Sequence, residues 1–377
     1  MIINTHVQSP CTFSPFDSIE ELVQLARKED IAALGITDTN SIDSFRKFAI
    51  TCTRQGIYPL FNVKFALYPE SKKKSASTET NFLQGKGLRY PASLSGDVRN
   101  FIATVWKASQ DSIWKLIDEI NNHLNESGVS ITLDYNILRS EFGISSLTEQ
   151  HLSKAVYLRC LHLSRTQDVN LEILLGRLFD SRNFTFTHSD PLRLQQEIHK
   201  GLTESVSNTS GITIHSSTHL TVQQAKRIIL GAGGIPCYQC SSLSGTPPDE
   251  KPSELAKRLT EKGINAIEFI PHRFTGQTLY EYMHYFHRQG FCVTLGTIHD
   301  TFLRHSLIPV TRTGEALDET LIKISYEGAC IYAAHQELHR SKRHGFVDES
   351  GNRHLSDDEL STFIALGNDA ISSTRMH

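Results

Sequence analysis

Ile31-Ala32-Ala33-Leu34-Gly35-Ile36-Thr37-Asp38-Thr39-Asn40 is the stretch on which the fold turns. Its first seven residues, six of them apolar, read as a buried-type strand, which stops at Asp38 and two more polar residues. Upstream, Ile2 to Thr5 reads as a short strand. Ser18-Ile19-Glu20-Glu21 has the capping-box form and opens a helix whose apolar stripe is Ile19, Leu22, Val23 and Ala26. Downstream, Asp43 to Gln55 is helical by pattern, Gly56 ends it, and Tyr58 to Leu67 is a third strand. Strands alternating with helices of this length imply a parallel sheet or barrel.

The rhythm returns late in the chain. Strands are predicted at Ile212 to Ile214, Ile235 to Tyr238, Ala266 to Ile270 and Cys292 to Thr297. Helices are predicted at Val222 to Ala232, Glu254 to Lys262, Thr278 to Arg288 and Ser325 to His339. The middle differs: Phe101 to Leu124, Thr148 to Arg165 and Leu171 to Phe179 are helical, with Lys72-Lys73-Lys74 as a solvated entry. The chain therefore divides into a first barrel part (1–69), a mainly helical insertion (70–210), a second barrel part (211–347) and a polar tail with one short helix near Glu359 to Leu366 (348–377).

Composition narrows the class. With 39% hydrophobic residues among 377, the chain can bury a core, which excludes global disorder. Lys and Arg number 38 against 41 Asp and Glu, and this balance gives nucleic-acid binding no electrostatic support. No run of 18 uncharged apolar residues predicts a membrane span, and the first residues lack a leader pattern. Seven cysteines, an odd and sparse set, fit a reducing cytoplasm. Histidine is abundant at 18.

In parallel β/α folds ligands gather at the C-terminal ends of strands. His6, Asp38, Lys64, His215, His272, Arg273, His299 and Asp300 all fall at or just after predicted strand ends. One such histidine is ordinarily structural; several on separate strands point to a common rim. Weaker signals are the lone pair Cys237 and Cys240, the pairs His215/His219 and His284/His287, and Gly231 to Gly234. The glycine run precedes a strand, the wrong order for a dinucleotide turn.

These segments resemble the PHP (polymerase and histidinol phosphatase) superfamily. The opening His6-Val7-Gln8-Ser9, the Ala33 to Asn40 segment, Gly56 to Phe65, Leu147 to Ala155 with His151, Ala232 to Gln239 and Gly296 to Thr301 follow the family's motifs in order. The resemblance implies a distorted (β/α)7 barrel. It also implies an ancestral phosphoester hydrolysis on a cluster of up to three divalent metals, which activate water and polarise the phosphoryl group. Several ligand positions depart from the family: Gln8, Thr39, Lys64, Tyr238 and Ile298 replace His or an acid. His6, His151, His299 and Asp38 survive as ligand candidates. Lys64 stands where a bridging Glu is expected. Two unit charges at 4 Å repel by about 4 kcal/mol at an effective dielectric of 20, and a divalent ion doubles that.

That argues against a multinuclear cluster. It leaves one Zn, Mn or Fe ion on the remaining histidines as an alternative. The leading expectation is a degenerate member that is non-catalytic or weakly active and binds a small phosphorylated or anionic ligand through Lys64, His272 and Arg273. The rivals are a single-metal hydrolase and a scaffold that binds a protein partner through the insertion.

Overall fold

The structure, a computed structural model, describes residues 1–68, 82–91, 96–167, 169–179, 191–210, 219–240, 250–299, 302, 304–353 and 355–375. The predicted strand at 212–214, His215, Lys72 to Lys74 and Asp300 lie outside the described residues. Seven strands form one sheet in chain order: β1 (Ile2–Val7), β2 (Ile31–Thr39), β3 (Tyr58–Ala66), β4 (Phe82–Lys86), β5 (Ile235–Cys240), β6 (Ala266–Phe269) and β7 (Cys292–Leu295). The sheet curls until its edges nearly close: Thr297 N–H donates to His6 O at 3.0 Å, and Thr5 Oγ1 lies 3.0 Å from Leu295 O. β1 to β3 are parallel, as are β5 to β7, while β4 runs antiparallel to both its neighbours. The result is a distorted seven-stranded α/β barrel, as the alternating pattern predicts.

Helices α1 (Ile19–Lys28) and α2 (Phe45–Arg54) cover β1 to β3, burying Leu22, Val23 and Phe48. The predicted cap is present: Ser18 Oγ accepts from Glu21 N–H at 3.1 Å. Helices α3 (Gly96–Glu126), α4 (Tyr135–Phe142), α5 (Glu149–Thr166), α6 (Leu171–Leu178) and α7 (Pro191–Ser210) form the insertion. They have a core of their own, which includes Ile117, Leu124, Leu152, Val156, Leu175 and Ile198. Helix α8 (Val222–Gly231) leads into β5. Among the described residues no helix is long and apolar enough to cross a membrane.

The N-terminal end of the barrel is sealed. A later helix, Glu319–Arg340, packs Ala329, Tyr332 and Ala333 against Ile3, Tyr58, Leu60, Ile235, Ala266 and Cys292 from the strand starts. Its Gln336 side chain accepts from Phe61 N–H at 3.1 Å and donates to Pro59 O at 3.1 Å. The strand ends of β1 to β3 and β5 to β7 lie at the opposite rim, away from this helix.

Two elements differ from the sequence reading. β4 lies inside the stretch read as mainly helical, because five residues flanked by polar segments give no usable period. The tail is not a polar segment with one short helix; it folds as a 19-residue helix, Asp357–Arg375. Phe363, Gly367 and Ile371, spaced by four, make the stripe that packs on Glu319–Arg340, and both large side chains are buried. The crossing is so close that a Cβ on Gly367 would stand 1.8 Å from Cys330 O. Gly367→Ala should therefore destabilise the protein by about 1–3 kcal/mol through overpacking, read as a lowered urea midpoint. An unchanged midpoint would show that this helix is not part of the cooperative fold.

Candidate functional site

Glu268 is the single acid in the short apolar strand β6. Ile267 and Phe269 on either side belong to the outer core, so the pleat turns Glu268 into the barrel. The same alternation turns Gln84 and Lys86 inward from β4, where Leu83 faces out. β1 carries a register shift between Asn4 and Val7, an irregularity of the kind that re-aims side chains. Consecutive residues Thr5 and His6 consequently both reach Glu268.

The resulting centre is fully buried. Lys86 Nζ lies 2.6 Å from Glu268 Oε1 and donates to Thr5 O at 2.9 Å. Thr5 Oγ1 donates to Glu268 Oε1 at 2.7 Å, and His6 Nδ1 lies 2.7 Å from Glu268 Oε2. Gln84 Nε2 donates to Gln239 Oε1 at 2.7 Å beside them. Burial alone would raise the Glu268 pKa, but Lys86 and His6 outweigh it and hold the carboxyl below its usual range. Burial lowers the His6 pKa to about 4 against the pull of Glu268. His6 is thus neutral at pH 7, donates Nδ1–H to the carboxylate, and leaves the counter-charge to Lys86. Its Nε2, an acceptor in this tautomer, has no hydrogen-bond partner among the described residues.

The other predicted ligands are engaged elsewhere. Asp38, fully buried, accepts from Ser9 N–H at 2.9 Å, Ser9 Oγ at 2.7 Å, Thr12 Oγ1 at 2.8 Å and Ser44 Oγ at 2.5 Å. Four donors use both oxygens and pin the loop after β1 to the start of α2. His151 Nδ1 accepts from Thr148 N–H at 3.0 Å, capping α5, while Nε2 donates to Pro10 O at 3.1 Å. His299 Nε2 faces His305 O at 3.3 Å and Nδ1 faces Thr297 Oγ1 at 3.3 Å. Burial is the main cause of a lowered pKa of about 4 for both rings.

No three His, Cys, Asp or Glu side chains gather as metal ligands among the described residues. The residues as placed do not fit a metal ion: His6 alone of the four offers an unengaged ring nitrogen or oxygen, and the barrel's acid is neutralised by an ammonium.

Lys64 lies two residues before the end of β3. It is 4% exposed, and its ammonium lies 5.1 Å from the centre of the Phe82 ring. His272 and Arg273 form a 3-10 turn, Pro271–Arg273, just after β6, and are half-buried. Lys64 acts electrostatically on His6, and His272 on His299. Glu268, Lys86, Gln84 and Gln239 escaped the sequence reading as site residues. A lone acid inside an apolar strand was the available signal, since a buried carboxylate demands a partner, but the sequence does not say which lysine.

The PHP domain family matches residues 4–90. No curated protein matches the chain. Among solved structures, a proposed metal-dependent phosphoesterase from Bifidobacterium adolescentis is similar with a TM-score of 0.53 at 11% identity, over 86% of this chain and 95% of that one. An amidohydrolase from Chromobacterium violaceum, with bound sulfate and no metal, gives a TM-score of 0.48 at 16% identity, over 86% of this chain and 97% of that one. At such identities the likeness is one of fold.

Removing one partner of a buried ion pair leaves the other uncompensated, at a cost of about 3–5 kcal/mol. Lys86→Met and Glu268→Gln should each destabilise on that scale, and the double variant by clearly less than their sum. Additive losses in urea unfolding would mean that the two residues are not coupled. A second outcome concerns pH. Unfolded imidazoles titrate near 6.5, whereas His6, His151 and His299 in the fold titrate near 4. Between those values the unfolded chain binds up to three more protons. Stability is therefore full above about pH 6.5 and falls as pH drops towards 4, by up to about 1.4 kcal/mol per pH unit for each ring. Unfolding free energies measured at pH 7.5, 6 and 5 should decline in that order; a flat profile would contradict neutral burial.

Proposed function

We propose that this chain, whose residues 4–90 match the PHP domain family, is an eroded relative of metal-dependent hydrolases that binds a phosphorylated or anionic ligand at the barrel mouth and hydrolyses little or nothing. The observation that carries this reading is Lys86 at 2.6 Å from Glu268. It puts an ammonium on the carboxylate that is buried in the barrel, where a metal-binding site would need uncommitted acids. Lys64 adds a second ammonium at the rim. Cationic groups in this position repel a divalent ion and attract an anion, and His272 and Arg273 have the same sign or none.

Two measurements test the reading. Elemental analysis of protein purified without chelator or histidine tag should find well under one equivalent of Zn, Mn or Fe, even after incubation with each ion. A stoichiometric ion, lost together with phosphoesterase activity in His6→Ala, would establish the single-metal hydrolase instead. Calorimetric titration with inorganic phosphate should show saturable binding that Lys64→Glu weakens at least tenfold; unchanged affinity would remove Lys64 from the site.

A further inference from the structure

The residues Gln8 to Phe16, between β1 and α1, tie together three parts of the molecule. Towards β2, Ser9 and Thr12 donate to the buried Asp38 carboxylate. Towards the insertion, Pro10 O accepts from His151 Nε2 at 3.1 Å. Towards the segment after β7, Gln8 Oε1 accepts from His299 N–H at 3.2 Å, and Pro15 O accepts from Arg304 Nε at 3.0 Å. Asp17, the next residue, adds an ion pair with Lys154 of α5 at 3.0 Å.

Phe13 stands within this segment at φ +122°. A bulky side chain rarely adopts that backbone, and such strain persists only where the surroundings impose it. Here the seat is aromatic. The Phe13 ring, 3% exposed, meets Phe302 edge-on at 4.8 Å and His151 edge-on at 6.2 Å. Phe302 is itself tied to the insertion, since its N–H donates to Gln196 Oε1 of α7 at 3.3 Å. The seat is therefore built from both the insertion and the barrel, and parting them would let the strained residue relax.

The segment also borders the residues of the mouth. It begins two residues after His6, and the carboxylate it holds precedes Thr39, the register partner of Lys64. Lys64 is 4% exposed and His6 fully buried, so neither is open to a ligand with the rim as it stands. We infer that residues 8–16 are a strained latch: seated, they close the insertion onto the barrel mouth, and released, they admit an anion to Lys64. The second half rests on the anion-binding reading proposed above, whereas the latch itself does not.

Cys11 lies in the latch and, alone among the seven cysteines, is not buried. Its labelling by dithiobis(nitrobenzoate), lost in Cys11→Ser, reports release on the full chain. Phe13→Ala removes the ring and keeps the strain; it should speed labelling by about tenfold or more, as expected when a local opening becomes easier. Phe13→Gly removes both, because glycine accepts a positive φ, and should label more slowly than Phe13→Ala. An unstrained segment predicts the reverse order, since glycine is the more flexible residue. Arg304→Met cuts an anchor at a part-exposed side chain, away from the core, and should also speed labelling. Unchanged rates in Phe13→Ala and Arg304→Met, or faster labelling in Phe13→Gly than in Phe13→Ala, would overturn the latch.

Inorganic phosphate supplies the other arm. A ligand that binds only the released form draws the equilibrium towards it. Saturating phosphate should therefore speed Cys11 labelling in the wild type. Phe13→Ala, already released more often, should bind phosphate about threefold or more tightly by calorimetry. Equal phosphate affinity in the two proteins would overturn the coupling. If neither binds phosphate while the labelling contrasts hold, the anion-binding reading fails and the latch stands.

Discussion

The barrel interior is organised by one buried ion pair, Lys86 with Glu268. Two charges removed from water are costly, and mutual attraction offsets that cost only when every remaining donor and acceptor is also satisfied. Here Thr5 supplies both a hydroxyl and a carbonyl, and His6 supplies a neutral N–H. The rest follows from this demand. β1 must shift register to deliver two consecutive residues, β4 must enter the sheet to deliver the lysine, and the closing helix at the strand starts must keep water away from beneath. Gly296 fits the same constraint, since a Cβ there would stand 2.3 Å from His6 Cβ and 3.0 Å from Glu268 Oε1.

A metal cluster and an internal salt bridge solve the same electrostatic problem in opposite ways. Carboxylates around a metal ion take their counter-charge from the ion; here Glu268 takes it from Lys86 at 2.6 Å. An internal pair of this kind leaves a polar, tightly packed interior with Gln8, Thr39 and Tyr238 at positions where the resemblance led one to expect ligands. His151 and His299 persist with structural duties, one capping α5 and the other held between a threonine hydroxyl and a backbone carbonyl.

Much of the barrel was legible in the sequence because its signals are local. The apolar run ending at Asp38, the cap at Ser18 and the glycine stops all depend on neighbours a few residues away. What stayed hidden depends on distant partners. β4 is too short to show a period, and the pairing of residue 86 with residue 268 spans 182 positions. The ring nitrogens of His151 and His299 look like ligands until the carbonyls of Pro10 and His305 are placed beside them. The C-terminal helix was misjudged for a similar reason: its stripe is narrow and includes a glycine, which reads as a break until the facing helix explains it.

The reversed direction of β4 has a mechanical side. Because this strand runs from the rim to the foot of the barrel, α3 starts at the foot, where Val98 fits against Gly231 at the end of α8. With 31 residues, α3 is about 46 Å long. It passes the mouth at Trp106 and Gln110 and continues into the separate core of the insertion. One rod thus joins three places: the sealed foot, the wall of the mouth and the helical module. Because a continuous helix moves as a rigid rod, a displacement of that module would be carried along α3 to the wall of the mouth.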